Sequence, residues 1–92
     1  MAWTVLLHRK VARSVPQLRP HVREALELLL RELELKGPVR GNWPNYSKLS
    51  PRRHHCHLHK GRPTYVAVWE EARAGPRLLE VIYVGTHENA PY

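Results

Sequence analysis

Residues 54–84 read HHCHLHKGRPTYVAVWEEARAGPRLLEVIYV. Three β-forming runs lie in this stretch, separated by turn signals. His54–His59 alternates: Cys56 and Leu58 point one way, and His55, His57 and His59 the other. Gly61-Arg62-Pro63 marks a turn. Thr64–Glu70, TYVAVWE, is rich in β-branched and aromatic residues and predicts a strand. Ala72–Pro76 is a second turn, and Arg77–Val84, RLLEVIYV, a third strand. Strands joined by short turns form an antiparallel meander.

Working back from the meander, the chain turns helical. His21–Lys36 places Val22, Leu26, Leu29, Leu30 and Leu33 on one face. Glu27 with Arg31, and Glu32 with Lys36, are spaced as i, i+4 ion pairs in the favourable order. Gly37-Pro38 ends this helix, and Pro20 suits its first turn. Before it, Lys10–Leu18 carries Val11, Val15 and Leu18 at helical spacing, with Pro16 inside, so a short or kinked helix is expected. Trp3–His8 predicts an opening strand. Gly41–Pro51 is turn-rich: a loop, or an irregular edge strand around Tyr46–Leu49. Trp43 and Tyr46 in this segment can stack on bases, but aromatics so placed more often plug the side of a small core. The order β-α-α-β-β-β predicts one α+β domain over residues 1–92, with a helix pair on one face of an antiparallel-rich sheet and the other face open.

A chain of 92 residues fits a single small domain with a modest core. Its one cysteine, Cys56, rules out an intramolecular disulfide and suits a reducing compartment. No apolar run nears the ~20 residues of a membrane span, and the first residues make a poor signal peptide, so a cytoplasmic location is expected. The net charge is +7 and the pI about 10.2. From Lys36 to Arg62 there are seven Lys and Arg residues and no acid. Such a field attracts a polyanion or an acidic protein; the plain alternative is a solvated face that aids solubility.

The candidate chemistry lies in His54–Arg62, HHCHLHKGR, and His87–Tyr92, HENAPY, which are expected to meet in space. An exposed polar strand face explains a histidine run equally well, and for His54 and His59 that is the reading taken here. A zinc reading rests on His55, Cys56 and His57, but structural zinc sites prefer donors separated by two to four residues, and neighbours on a strand face opposite ways. No metal and no cofactor are expected.

The whole order resembles the RelE/ParE toxin superfamily, and within it the RelE- and HigB-like mRNA interferases of bacterial toxin–antitoxin systems. The resemblance is carried by Lys36-Gly37-Pro38 after the helix pair, Lys48-Leu49 ahead of the meander, the basic strand, turn and Arg running from His55 to Val68, and Tyr83-Val84-Gly85 followed by a polar tail. It implies ribosome-dependent cleavage of mRNA with the RNA 2′-hydroxyl as nucleophile. Arg62 then holds the scissile phosphate. His55 and His57 stand on the strand where members present Lys, Arg or His to the groove. His87 and Tyr92 match the basic residue and Tyr of the tail. Imidazoles replace the paired lysines of the best-known members.

Such a reaction needs a base, an acid and a cation on the phosphorane. Imidazole serves proton transfer near neutral pH, and guanidinium stays charged and grips two phosphate oxygens. His57 and His87 are therefore expected to move protons, with Tyr92 orienting the base or the 2′-hydroxyl. Lys48, Arg52, Arg53, Lys60 and Trp43 are expected to hold ribosomal or messenger RNA. The resemblance also implies a cognate antitoxin as partner. Two other readings stay open: a ParE-like toxin acting on DNA gyrase, and a basic binding module without chemistry.

Overall fold

The computed structural model describes residues 2–92. Strand β1 (Thr4–Leu7) leads into helix α1 (Arg9–Ser14), a 3-10 turn (Val15–Gln17) and helix α2 (Pro20–Lys36). Four strands follow: β2 (Ser47–Ser50), β3 (Arg53–His59), β4 (Tyr65–Glu71) and β5 (Leu78–Thr86). The predicted α+β architecture and the meander are both present. The sheet has the order β1-β5-β4-β3-β2, antiparallel except where β1 runs parallel to β5. The helices thus cross from one edge of the sheet to the other, and the meander brings the chain back beside its start.

The predicted helix Lys10–Leu18 is α-helical only to Ser14. Pro16, lacking an amide hydrogen, tightens the next turn to 3-10. The ambiguous segment before the meander forms the edge strand Ser47–Ser50. Neither predicted ion pair on α2 closes among the described residues. Glu32 Oε1 instead accepts from Asn42 Nδ2 at 2.9 Å, Trp43 Nε1 at 2.9 Å and Arg40 Nη1 at 3.3 Å, and these bonds hold its pKa below the usual carboxylate range. Three converging donors outcompete one solvated lysine.

Both helices cover the same sheet face. Val11 of α1 and Val22, Leu26, Leu29 and Leu33 of α2 share a core with Cys56, Leu58, Ala67, Trp69, Leu79 and Val81. Burial pushes the Cys56 thiol up to about 12, with Glu32 adding to the shift, so this cysteine is inert packing. Gly37 caps α2 at φ 88°, and a Cβ there would stand 2.8 Å from Trp3 Nε1. Gly37→Ala is therefore expected to cost about 2 kcal/mol in denaturant unfolding, from the left-handed backbone and the clash together. Among the described residues no helix is long and apolar enough to cross a membrane.

Candidate active site

The site is built by strand register and two bulges. On the sheet face away from the helices, His57 pairs with Val66, which pairs with Gly85. One row along, His55 pairs with Val68, which pairs with Tyr83. Val66 and Val68 are fully buried yet stand apart from the helix-side core. They form an apolar floor, walled by His55 and His57 on one side and Tyr83 on the other.

The bulge in β5 makes this arrangement possible. Val68 pairs with Tyr83 but Trp69 with Val81, so Ile82 is the extra residue. Strict alternation would put Val81 and Tyr83 on one face. The bulge lets Val81 enter the helix-side core while Tyr83 and Gly85 turn to the site. A second register shift, between His57 and His59, takes His59 off the site face, contrary to the parity of the sequence. Its ring instead meets His21 of α2 edge-on at 4.4 Å.

The tail folds back by ordinary backbone bonding. After Thr86 the chain makes a 3-10 turn, His87–Asn89, and the His87 amide donates to Thr64 O at 2.8 Å. The Tyr83 hydroxyl donates to Thr86 O at 2.7 Å. Gly85 permits that bond, because a Cβ there would lie 2.6 Å from the Tyr83 oxygen. The result brings four aromatic rings together. Centroids lie 5.6 Å apart for His57–His87, 6.2 Å for His55–His57, 4.7 Å for His55–Tyr92 and 5.9 Å for His87–Tyr92. His57 and His87 also line, with Arg62, Thr64 and Glu88, a groove of about 560 Å³. Arg62 is exposed there, with no carboxylate at ion-pair distance among the described residues.

The electrostatics favour neutral imidazoles and a protonated phenol. Burial holds the His57 pKa below its ordinary value, and the neighbouring His87, His55 and Lys60 depress it further. His55 is lowered chiefly by burial, partly offset by its bond to the Ser47 backbone and reinforced by His87. Burial raises Tyr92, as do Tyr83 and Cys56. A proton on one imidazole thus disfavours a proton on its neighbour. In His87→Gln, the His57 titration followed by NMR is expected to move up toward 6.5.

The sequence-assigned RNA contacts are scattered. Lys60 is exposed in the turn after β3, next to the groove. Lys48 is exposed on edge strand β2, opposite His54. Arg53 is held by Glu70 at 3.0 Å, and with exposed Arg52 it lines a depression shared with Glu70 and Glu71 at the opposite end of β3. Trp43, partly buried, packs on the helix-side core with its indole bonded to Glu32, which is the plug placement.

His54, read from the sequence as exposed, is wholly buried. Its Nδ1 bonds the Tyr46 hydroxyl at 2.7 Å, its Nε2 bonds Glu71 Oε2 at 2.9 Å, and its ring stacks on Trp69. Among the described residues, no group of three His, Cys, Asp or Glu side chains converges as a metal site.

Three residues at the site escaped the sequence reading: Ser47, whose hydroxyl lies 3.2 Å from His55 Nδ1, and Thr64 and Tyr83, which hold the tail. A faint signal existed for Ser47, since counting back from the Pro51 turn pairs β2 with β3; the register irregularity between Lys48 and Ser50 hides the offset. A second acid-free segment, residues 2–23 with Arg9, Lys10, Arg13, Arg19 and Arg23, was also passed over.

No protein-family model matches the sequence, and no curated protein matches it significantly. Solved structures do. The free state of Escherichia coli toxin RelE, carrying two arginine-to-alanine substitutions, superposes with a TM-score of 0.70 at 22% identity, over 96% of this chain and 86% of that one. The archaeal RelE–RelB complex from Pyrococcus horikoshii gives 0.69 at 12% identity, over 98% and 100% of the two chains. Across nearly its whole length, this chain has the fold of the RelE toxins.

Proposed function

We propose that this chain is the toxin of a toxin–antitoxin pair, a ribosome-dependent endoribonuclease that cuts mRNA and stops translation. One observation carries the reading: His57, His87 and Arg62 line a single groove, and the rings of His55 and Tyr92 stand beside those of His57 and His87. That set holds what 2′-hydroxyl attack requires, and no metal is needed for it.

His57 is the base, because burial and its basic neighbours keep it neutral. It takes the 2′-hydroxyl proton as the oxygen attacks phosphorus. His87, exposed at the mouth of the groove, is the acid that gives a proton to the departing 5′-oxygen. Arg62 faces the non-bridging oxygens as negative charge builds. The products are a 2′,3′-cyclic phosphate and a free 5′-hydroxyl. Tyr92 stays protonated and orients the nucleophile through a hydrogen bond. Lys60 and Lys48 hold the RNA backbone.

A partner is supported by the archaeal neighbour, described as a RelE–RelB complex. For this chain the expected antitoxin is a protein with an acidic or amphipathic segment suited to the cationic groove.

The test is a translating extract given a defined message. Wild-type protein is expected to cut that message only during translation, and His57→Ala or His87→Ala to cut it about 100-fold more slowly or worse. Both variants cutting at the wild-type rate would defeat the assignment. Cleaved plasmid DNA with intact message would indicate a gyrase-directed toxin, and neither product a binding module.

A further inference from the structure

Edge strand β2 contributes nothing to the groove itself, yet it reaches His55. Ser47 is the β2 residue paired with His55. Its hydroxyl lies 3.2 Å from His55 Nδ1, and its carbonyl oxygen 3.4 Å from the same nitrogen. The carbonyl has no hydrogen to give. A neutral imidazole with a bare lone pair on Nδ1 would point that pair at the carbonyl oxygen, which is repulsive. With a hydrogen on Nδ1, carbonyl and hydroxyl both accept. The hydroxyl can donate to a bare Nδ1 or accept from Nδ1–H, so it steadies the ring in either form and the preference comes from the carbonyl.

We infer that Ser47 is a positioning residue: its carbonyl fixes His55 as the Nδ1–H tautomer and leaves the Nε2 lone pair for the site, and its hydroxyl steadies the ring there. His55 is nine-tenths buried, so its ring cannot turn to water to escape that choice. The Tyr92 ring lies against it at 4.7 Å, and the Tyr92 hydroxyl, kept protonated, is a donor that can meet the free lone pair. A chain of orientation then runs from the strand edge through His55 to Tyr92. Its catalytic consequence rests on the interferase reading above; the tautomer does not.

Two measurements separate the two. Long-range proton–nitrogen NMR of the purified protein above pH 7 reads which His55 nitrogen bears hydrogen. The wild type is expected to show Nδ1–H, and Ser47→Ala and Ser47→Thr the same tautomer, since both keep the carbonyl; threonine also keeps the hydroxyl and suits a strand. In the translating extract, Ser47→Ala is expected to cut about fivefold more slowly, with Ser47→Thr restoring the rate, in keeping with one neutral hydrogen bond. A wild-type His55 protonated on Nε2, or substantial Nε2–H in Ser47→Ala, overturns the inference. Unchanged cutting by Ser47→Ala beside active wild type overturns its catalytic part. The Nδ1–H tautomer in a protein that cuts no message supports the role of Ser47 while removing the interferase reading.

Discussion

Arg62→Ala is expected to lower message cleavage by about 100- to 1000-fold in a translating extract, the loss typical when a preformed donor to a developing oxyanion is removed. The side chain is exposed and lies in the turn region between β3 and β4, so its loss should leave the fold unchanged by circular dichroism and melting. Arg62→Lys separates charge from geometry. A lysine keeps the positive field but offers one point of contact where guanidinium offers a fork, so partial recovery of about tenfold over Arg62→Ala is the expected result. Binding and chemistry also part company on salt. Lys48 and Lys60, as backbone contacts, should weaken binding when replaced and flatten its salt dependence. Arg62→Ala should lower the maximal rate at saturating ribosomes. Full activity in Arg62→Ala would remove the cation from the mechanism and leave the imidazole pair without a reason to stand beside this groove.

The pH dependence follows from the same groups. A base with a depressed pKa stays neutral below 6.5, so the acidic limb of the rate profile should lie below the ordinary imidazole value. The unfolded chain binds protons on His55 and His57 more readily than the folded one. Their contribution to stability is therefore complete above about pH 6.5 and is lost as pH falls through the folded values. A melting temperature that falls between pH 7 and pH 5, and falls less in His55→Ala and His57→Ala, is the expected outcome.

How far this was legible in the sequence depends on the range over which each feature is set. Helix α2 announces itself by an apolar period that runs unbroken for several turns, and strands β4 and β5 by dense runs of β-branched and aromatic residues. The register shifts do not, since one extra residue costs a strand little and leaves no residue type behind. HHCHLH alternates straight through its irregularity, so parity grouped His59 with His55 and His57, while the backbone sends it to α2. Pairing of β1 with β5 joins the two ends of the chain, and local pattern is silent on it. The convergence of His57, Arg62 and His87 required the tail to fold back, and the bonds that hold it there, from Thr64 and Tyr83, come from neighbours in space.

The largest stability effect is expected at His54. An imidazole with no exposed surface, bonded at both nitrogens and stacked on a buried indole, has no route to water. Its partners come from eight and seventeen residues away, which is why alternation alone misjudged it. His54→Ala leaves a cavity beside Trp69 and deprives both the Tyr46 hydroxyl and the Glu71 carboxylate of their partner. Those losses together are expected to cost about 3 kcal/mol. Small domains hold about 5–15 kcal/mol in all, so that is a large share. For a chain of this length it corresponds to a fall of about 15 °C in melting temperature. His54→Phe refills the cavity without the bonds and should recover part of the loss; Tyr46→Phe removes one bond and should cost about 1 kcal/mol. Because His54 directly precedes His55 and faces the opposite side of β3, the same experiment tests whether the network sets the site. At a temperature where both proteins are fully folded, His54→Phe should cut message at close to the wild-type rate. A variant that is stable but inactive would mean that the buried network orients the open face, and that β3 acts as a single rigid part.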